Sequence, residues 1–286
     1  MVRIIIDLDD KIHGQVRENL LRETLKYSTN FIVTSHKNKF QQLNTKECWY
    51  LIKIFWALCS VDFLKKDDIE FVQSFIALIQ VKFDKIGYSD NHNQLSQIFW
   101  YVKLNFAEDF SDDNFKREFL ELDDKICGIV LKNRDEHEKK NILAITKVFP
   151  EYWKIQFTLE NNLNSMGILY TKEELHGIYL MDFKLDNILG FVEEHNLVSK
   201  PEILKCLKNK DFYIEIHGRE HYIPNSNQKF DAGTKFKNYL LKKSDCLFLT
   251  LTKHDCFELS SLSEGQVNEK LKELIQQTIQ KFYAYL

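Results

Sequence analysis

The chain has 286 residues, enough for one large domain or two small ones with a real core. Its 44% hydrophobic and 28% charged residues are those of an ordinary globular protein, and a net charge of −3 argues against a general polyanion-binding surface. No run of about 18 apolar residues offers a membrane span, and MVRIIIDLDD puts acidic residues where a secretory signal has a basic head. The chain therefore reads as mature, with no membrane partner. Six scattered cysteines without a CxxC pair point to reduced thiols and a cytoplasmic compartment.

At the start, IIIDLDD resembles the apolar strand and DxD of haloacid-dehalogenase-like phosphatases, with Asp7 as nucleophile and Asp9 as acid, and FIVTSH resembles their Ser/Thr motif. Lys11 stands where that family has Thr or Val, and helical periodicity follows, so this is the minor alternative.

The first half then repeats itself. Leu51, Ile54, Phe55, Trp56 and Leu58 match Leu95, Ile98, Phe99, Trp100 and Val102 at a constant offset of 44. The same offset carries Asp68, Phe71, Phe75 and Leu78 onto Asp112, Phe115, Phe119 and Leu122. Each copy reads as an apolar helix, a short polar link and a second helix opened by acidic residues. That predicts an α-helical repeat domain over residues 1–150, with flanking helices near QVRENLLRETLKYS and KKNILAITKVF as imperfect repeats. The aromatic pairs are expected to pack the core rather than to stack on bases.

After residue 150 the period changes. Segments YWKIQFTLENNLNSMG, NILGFVEEHNL, PEILKCLKN and TKFKNYLLKKS read as helices; GIYLMDFKL, DFYIEIHG and CLFLTLTK read as strands; a long helix closes the chain. Residues 151–286 are therefore expected to form a small α/β domain, and the whole chain to be α+β.

Within that second half, Glu215 and His217 share one face of a strand while Ile214 and Ile216 share the other. Gly218 allows a sharp turn that lets His221 fold back. Asp182, set among apolar residues, is the expected opposite number of Glu215. Two carboxylates on neighbouring strands can hold a hard ion, Mg²⁺ or Mn²⁺, and activate water for phosphodiester attack. The alternative is a solvent-facing polar strand, with Asp182 as a cap.

QFTLENNLNSMG, YLMDFKL, FYIEIHGREHY and TKFKNYLLKKSDCLFLTLTK together resemble the RAP domain, a small relative of the PD-(D/E)xK restriction-endonuclease-like fold associated with RNA binding and processing. The preceding helix pairs resemble those of FAST-kinase-like and octotricopeptide-type proteins. The resemblance implies Asp182, Glu215 and His217 as catalytic positions, with Asp182 and Glu215 as metal ligands. His217 stands where the family has Asp and the nuclease superfamily usually has Lys; very-short-patch repair endonucleases, another branch of that superfamily, resemble IEIHG in having His before Gly. Arg219 replaces the family's Pro. The 25 or so residues between Leu185 and Asp211 imply a helical insertion.

Residues 200–243 hold ten Lys/Arg against five Asp/Glu, with aromatics interleaved, which suits single-stranded RNA. Arg219, His221, Lys235, Lys237, Lys242 and Lys243 are the candidate nucleic-acid contacts. The expectation is an RNA-binding protein with a metal-dependent nuclease-like site. The alternative is a non-catalytic module that binds RNA or a protein partner, including a bacterial effector moved into a host cell.

Overall fold

A computed structural model of the chain describes residues 10–35, 43–86, 91–148, 150–217, 221 and 230–284. Eleven helices and a four-stranded mixed sheet are found among them, so the fold is α+β and mostly helical. None of the described helices is long and apolar enough to cross a membrane. The chain divides into two compact units, one of residues 1–136 with 231–240, the other of 137–230 with 241–286.

The first unit opens with α1 (Asp10–Ser35), α2 (Thr45–Ser60) and α3 (Ile69–Ile86), followed by α4 (Asn91–Asn105) and by α5 (Asp113–Val148), whose residues from 137 on group with the second unit. Asn44 caps α2 in a reciprocal box with Glu47, satisfying two otherwise orphaned amides. α2 packs on α3 and α4, and α1 packs on α2 and α3. Phe55 of α2 stacks on Phe75 of α3 at 4.0 Å between centroids, and Phe99 of α4 stacks on Phe119 of α5 at 5.3 Å. All four rings are buried, as a core role for the aromatic pairs requires. The segment KKNILAITKV, residues 139–148, does not start a separate helix. It continues α5, which no Pro or Gly interrupts beyond Gly128.

Residues 231–240 join this unit through Asp62, which sits at φ 51 just past α2. Its Oδ1 accepts the hydroxyls of Tyr101 at 2.9 Å and Tyr239 at 2.7 Å. Burial and the neighbouring Asp62 push both phenols well above the ordinary tyrosine range, so both remain donors. Phe236 meets Trp56 edge-on, and Ala232 packs on Ala57.

The second unit contains α6 (Pro150–Ser165), β1 (Tyr170–His176), β2 (Tyr179–Leu185), α7 (Ile188–Glu194), α8 (Pro201–Leu207) and β3 (Phe212–Ile216). After α9 (Ala232–Lys243), which begins among the residues of the first unit, come β4 (Leu247–Leu251), α10 (Lys253–Ser261) and α11 (Glu264–Phe282). The sheet order is β1-β2-β3-β4; β1, β2 and β3 are antiparallel neighbours and β4 is parallel to β3. Gly167 leaves α6 at φ 69, and Gly177 at φ 60 begins the two-residue β1–β2 turn. Phe183, Phe212, Ile214, Ile216 and Leu249 share one core with Leu163 and with Val267, Leu271, Ile275 and Ile279, a four-residue-spaced stripe on α11. α7 and α8 supply the helical insertion between β2 and β3. β1 escapes the sequence pattern because YTKEELH carries Lys172, Glu173, Glu174 and His176 on an edge strand, and α10 because its apolar positions are few.

The Phe75→Ala variant should lose roughly 3–5 kcal/mol of stability, since a stacked, fully buried ring leaves a cavity. Phe157→Ala, at a ring 64% exposed, should stay within about 0.5 kcal/mol. Urea unfolding followed by fluorescence reads both variants, because Trp49, Trp56 and Trp100 lie in the first unit with Phe75 and Trp153 lies in the second with Phe157.

Candidate functional site

Hydrogen-bonded pairing between β2 and β3 runs from Leu185↔Phe212 to Phe183↔Ile214 and ends there. Continuing the register by one residue sets Asp182 across from Glu215. On its other side, Asp182 is the only β2 residue skipped by the β1 ladder, opposite Glu173, which stands at φ 54. β3 meanwhile stays with β4 through Ile216↔Leu251, and the His217 amide donates to the Leu251 carbonyl at 2.9 Å. The sheet thus forks at Asp182.

The Asp182 carboxylate spans the fork. Its Oδ2 accepts the Ile216 amide at 2.6 Å, doing for that N–H what a β2 carbonyl would do in a continuous ladder. Asp182 is half-buried, and it is one of the charges that, after burial itself and Asp255, push the Cys256 thiol up to about 12. Glu215 is 5% exposed and His217 1% exposed, on the face of β3 opposite Ile214 and Ile216. The His217 ring stacks on His221 at 4.7 Å and meets Phe230 edge-on at 4.9 Å. His221 therefore does return to the strand that precedes it. Asp182, Glu215, His217 and His221 lie towards one end of β3, but among the described residues the group whose ligand atoms come within 4.8 Å of one another is His254, Asp255 and Glu258, not these.

The expected nucleic-acid contacts are spread more widely. Arg219, like Asp7 and Asp9 of the phosphatase-like motif, lies outside the described residues. Residues 31–35 of FIVTSH end α1 and are helical, whereas a phosphatase Ser/Thr motif follows a strand. Lys235 and Lys237 group with the first unit, Lys242 and Lys243 with the second. Lys235, Lys242 and Lys243 are exposed, and Lys237 is half-buried. Lys242 and Lys243 also occupy the last turn of α9, where cations suit the helix dipole.

Two clusters were not legible in the sequence. His176, at the end of β1, places Nε2 2.8 Å from Ser244 Oγ and its ring 4.9 Å from Tyr213. Ser244 also donates to the Leu241 carbonyl at 2.8 Å, tying the end of α9. Burial lowers the His176 pKa, Asp211 opposes that shift, and Lys184 adds to it. Residues 68 apart in sequence give no local signal of such a contact. On α10, His254, Asp255 and Glu258 offer ligand atoms within 4.8 Å of one another. Asp255 is the capping partner of Thr252, at 2.8 Å from its amide, and Glu258 pairs with Lys270 at 3.4 Å. These contacts account for both carboxylates without an ion.

No family model, no curated protein and no solved structure matches the chain.

His176 predicts a pH response. Its folded pKa lies below the usual value near 6.5, so the unfolded chain binds the proton better. The associated stability is present above that value and is lost as pH falls through it. The urea midpoint should decline between about pH 7.5 and 5, and His176→Asn should flatten that decline; an identical decline in the variant excludes His176 as its source. At the fork, Asp182→Ala should expose the Ile216 amide to faster hydrogen exchange while the Ile214 amide, deeper in the ladder, stays protected.

Proposed function

We propose that the protein binds single-stranded RNA, with a helical-repeat unit joined to a RAP-like, nuclease-related unit. Mg²⁺- or Mn²⁺-dependent hydrolysis at Asp182 and Glu215 is the activity to be tested. The observation that carries the reading is that the β2–β3 pairing ends at Phe183↔Ile214, so that its register, continued by one residue, puts Asp182 opposite Glu215, two residues before His217. The order helix, Asp-bearing strand, IEIHG strand, helix and strand supports it. For the repeats, the support is that α3 starts at Ile69 and α5 at Asp113, again 44 apart, and that the Phe55–Phe75 and Phe99–Phe119 stacks occupy equivalent positions.

The donor set suits a hard divalent ion, because both side chains offer only oxygen. Asp182 and Glu215 would hold it, and when bound it would supply an activated water for phosphodiester attack. The Ile216 amide orients the Asp182 carboxylate, and Ile214 and Ile216 anchor the other face of β3 in the core. His217, two residues along β3 from Glu215, carries an imidazole, the side chain most often used in general acid–base chemistry. It stands where the superfamily has lysine, so transition-state charge there is left without that cation.

The non-catalytic reading, a module that binds RNA or a protein partner in the cytoplasm or in a host cell, has its own support. Glu215 and His217 are almost wholly buried, and His217 is flanked by two rings. A group that must exchange protons with substrate needs access to it.

A labelled single-stranded RNA incubated with the full chain and Mn²⁺ separates the readings. The nuclease reading expects cleavage that falls by roughly 10²-fold or more in both Asp182→Asn and Glu215→Gln. Binding without cleavage assigns the binding module. Absence of RNA binding at moderate salt removes the RNA reading altogether.

A further inference from the structure

The outer face of α2 carries Lys46, Tyr50 and Lys53, one helical turn apart in succession and all exposed; Tyr50 keeps 66% of its surface in solvent. An aromatic ring held open to water between two lysines serves no core. The opposite face supplies Leu51, Ile52, Phe55 and Leu58 to the interior. Along the same face the next position, Ala57, is buried against Ala232, at the start of α9. Three residues beyond Ala232 stands Lys235, exposed and in the same unit. None of Lys46, Lys53 and Lys235 makes an ion pair among the described residues. Glu47, the nearest carboxylate in sequence, is turned to the Asn44 amide at 2.8 Å.

From this arrangement we infer that the first unit holds a short track for single-stranded RNA running along α2 from Lys46 over Tyr50 and Lys53 towards Lys235. The inference rests on the RNA-binding reading and names where on the first unit the strand lies. From Lys46 to Ala57 the helix rises about 16 Å at 1.5 Å per residue, room for two or three nucleotides of extended strand. The lysines meet phosphates, and Tyr50 offers its face to one unpaired base, a contact indifferent to sequence because every base has a π-face. A protein partner could also use an exposed tyrosine. Two unpaired ammonium groups flanking the ring, on a chain of net negative charge, favour a polyanion instead.

The test is fluorescence anisotropy of a labelled, unstructured oligoribonucleotide of about 12 nucleotides with the full chain over a salt series. Tyr50→Ala should weaken binding by roughly 5- to 100-fold, as loss of one base stack does, and Tyr50→Phe should restore it. The Lys46→Glu/Lys53→Glu pair should weaken binding and lower the log–log salt slope by about 1.4, two phosphate contacts at about 0.7 each. Circular dichroism checks that each variant is folded. If the wild type binds RNA while these substitutions change neither affinity nor slope, and Lys242→Glu/Lys243→Glu abolishes binding, the track is wrong and the RNA reading stands. If the wild type binds no RNA, both fall.

Discussion

The parting of β3 from β2 at Asp182 is the constraint from which the second unit's site follows. A strand cannot follow two diverging neighbours. β3 continues with β4, and the amide of Ile216 is left facing the fork. A buried amide without an acceptor costs about 1–3 kcal/mol, and Asp182 removes that cost with a charge-assisted bond at 2.6 Å. The same carboxylate that looks catalytic is thus a structural member of the sheet.

The first unit depends on a comparable device. Asp62 accepts two phenolic hydroxyls from residues 39 and 177 positions away, one of them in the segment 231–240. Long-range contacts of this kind determine which residues belong together, overriding sequence order. The stretch that reads as the crossover helix between two strands of the sheet contributes Phe236 and Tyr239 to a cluster with Trp56 and Tyr101. Parallel pairing of β3 with β4 demands a long connection between them. That connection is long enough to serve the other unit as well.

Charge sets the scale of any nucleic-acid binding. With a net charge of −3, phosphate attraction must come from local groups of lysines rather than from the field of the whole protein. Exposed lysines on α9, and those either side of Tyr50 on α2, are such groups. Aromatic stacking is the term that can make a few of them sufficient, since it adds affinity without adding charge.

Much of this architecture is present in the sequence itself. The spacing of apolar and aromatic positions in the first half determines its helices, because a helix must bury a stripe with a 3.6-residue period, and Phe55, Phe75, Phe99 and Phe119 are buried on such stripes. The alternation in FYIEIH determines that Ile214 and Ile216 face the core and that Glu215 and His217 face away. The strand β1 is hidden, because an edge strand can be charged on both sides. Only the tertiary structure decided that Asp182 holds the Ile216 amide, that His176 meets Ser244, and that residues 231–240 group with the helical unit. Those outcomes depend on contacts between residues tens to hundreds of positions apart, whose geometry follows from packing and chain closure and leaves no periodic trace in the local sequence.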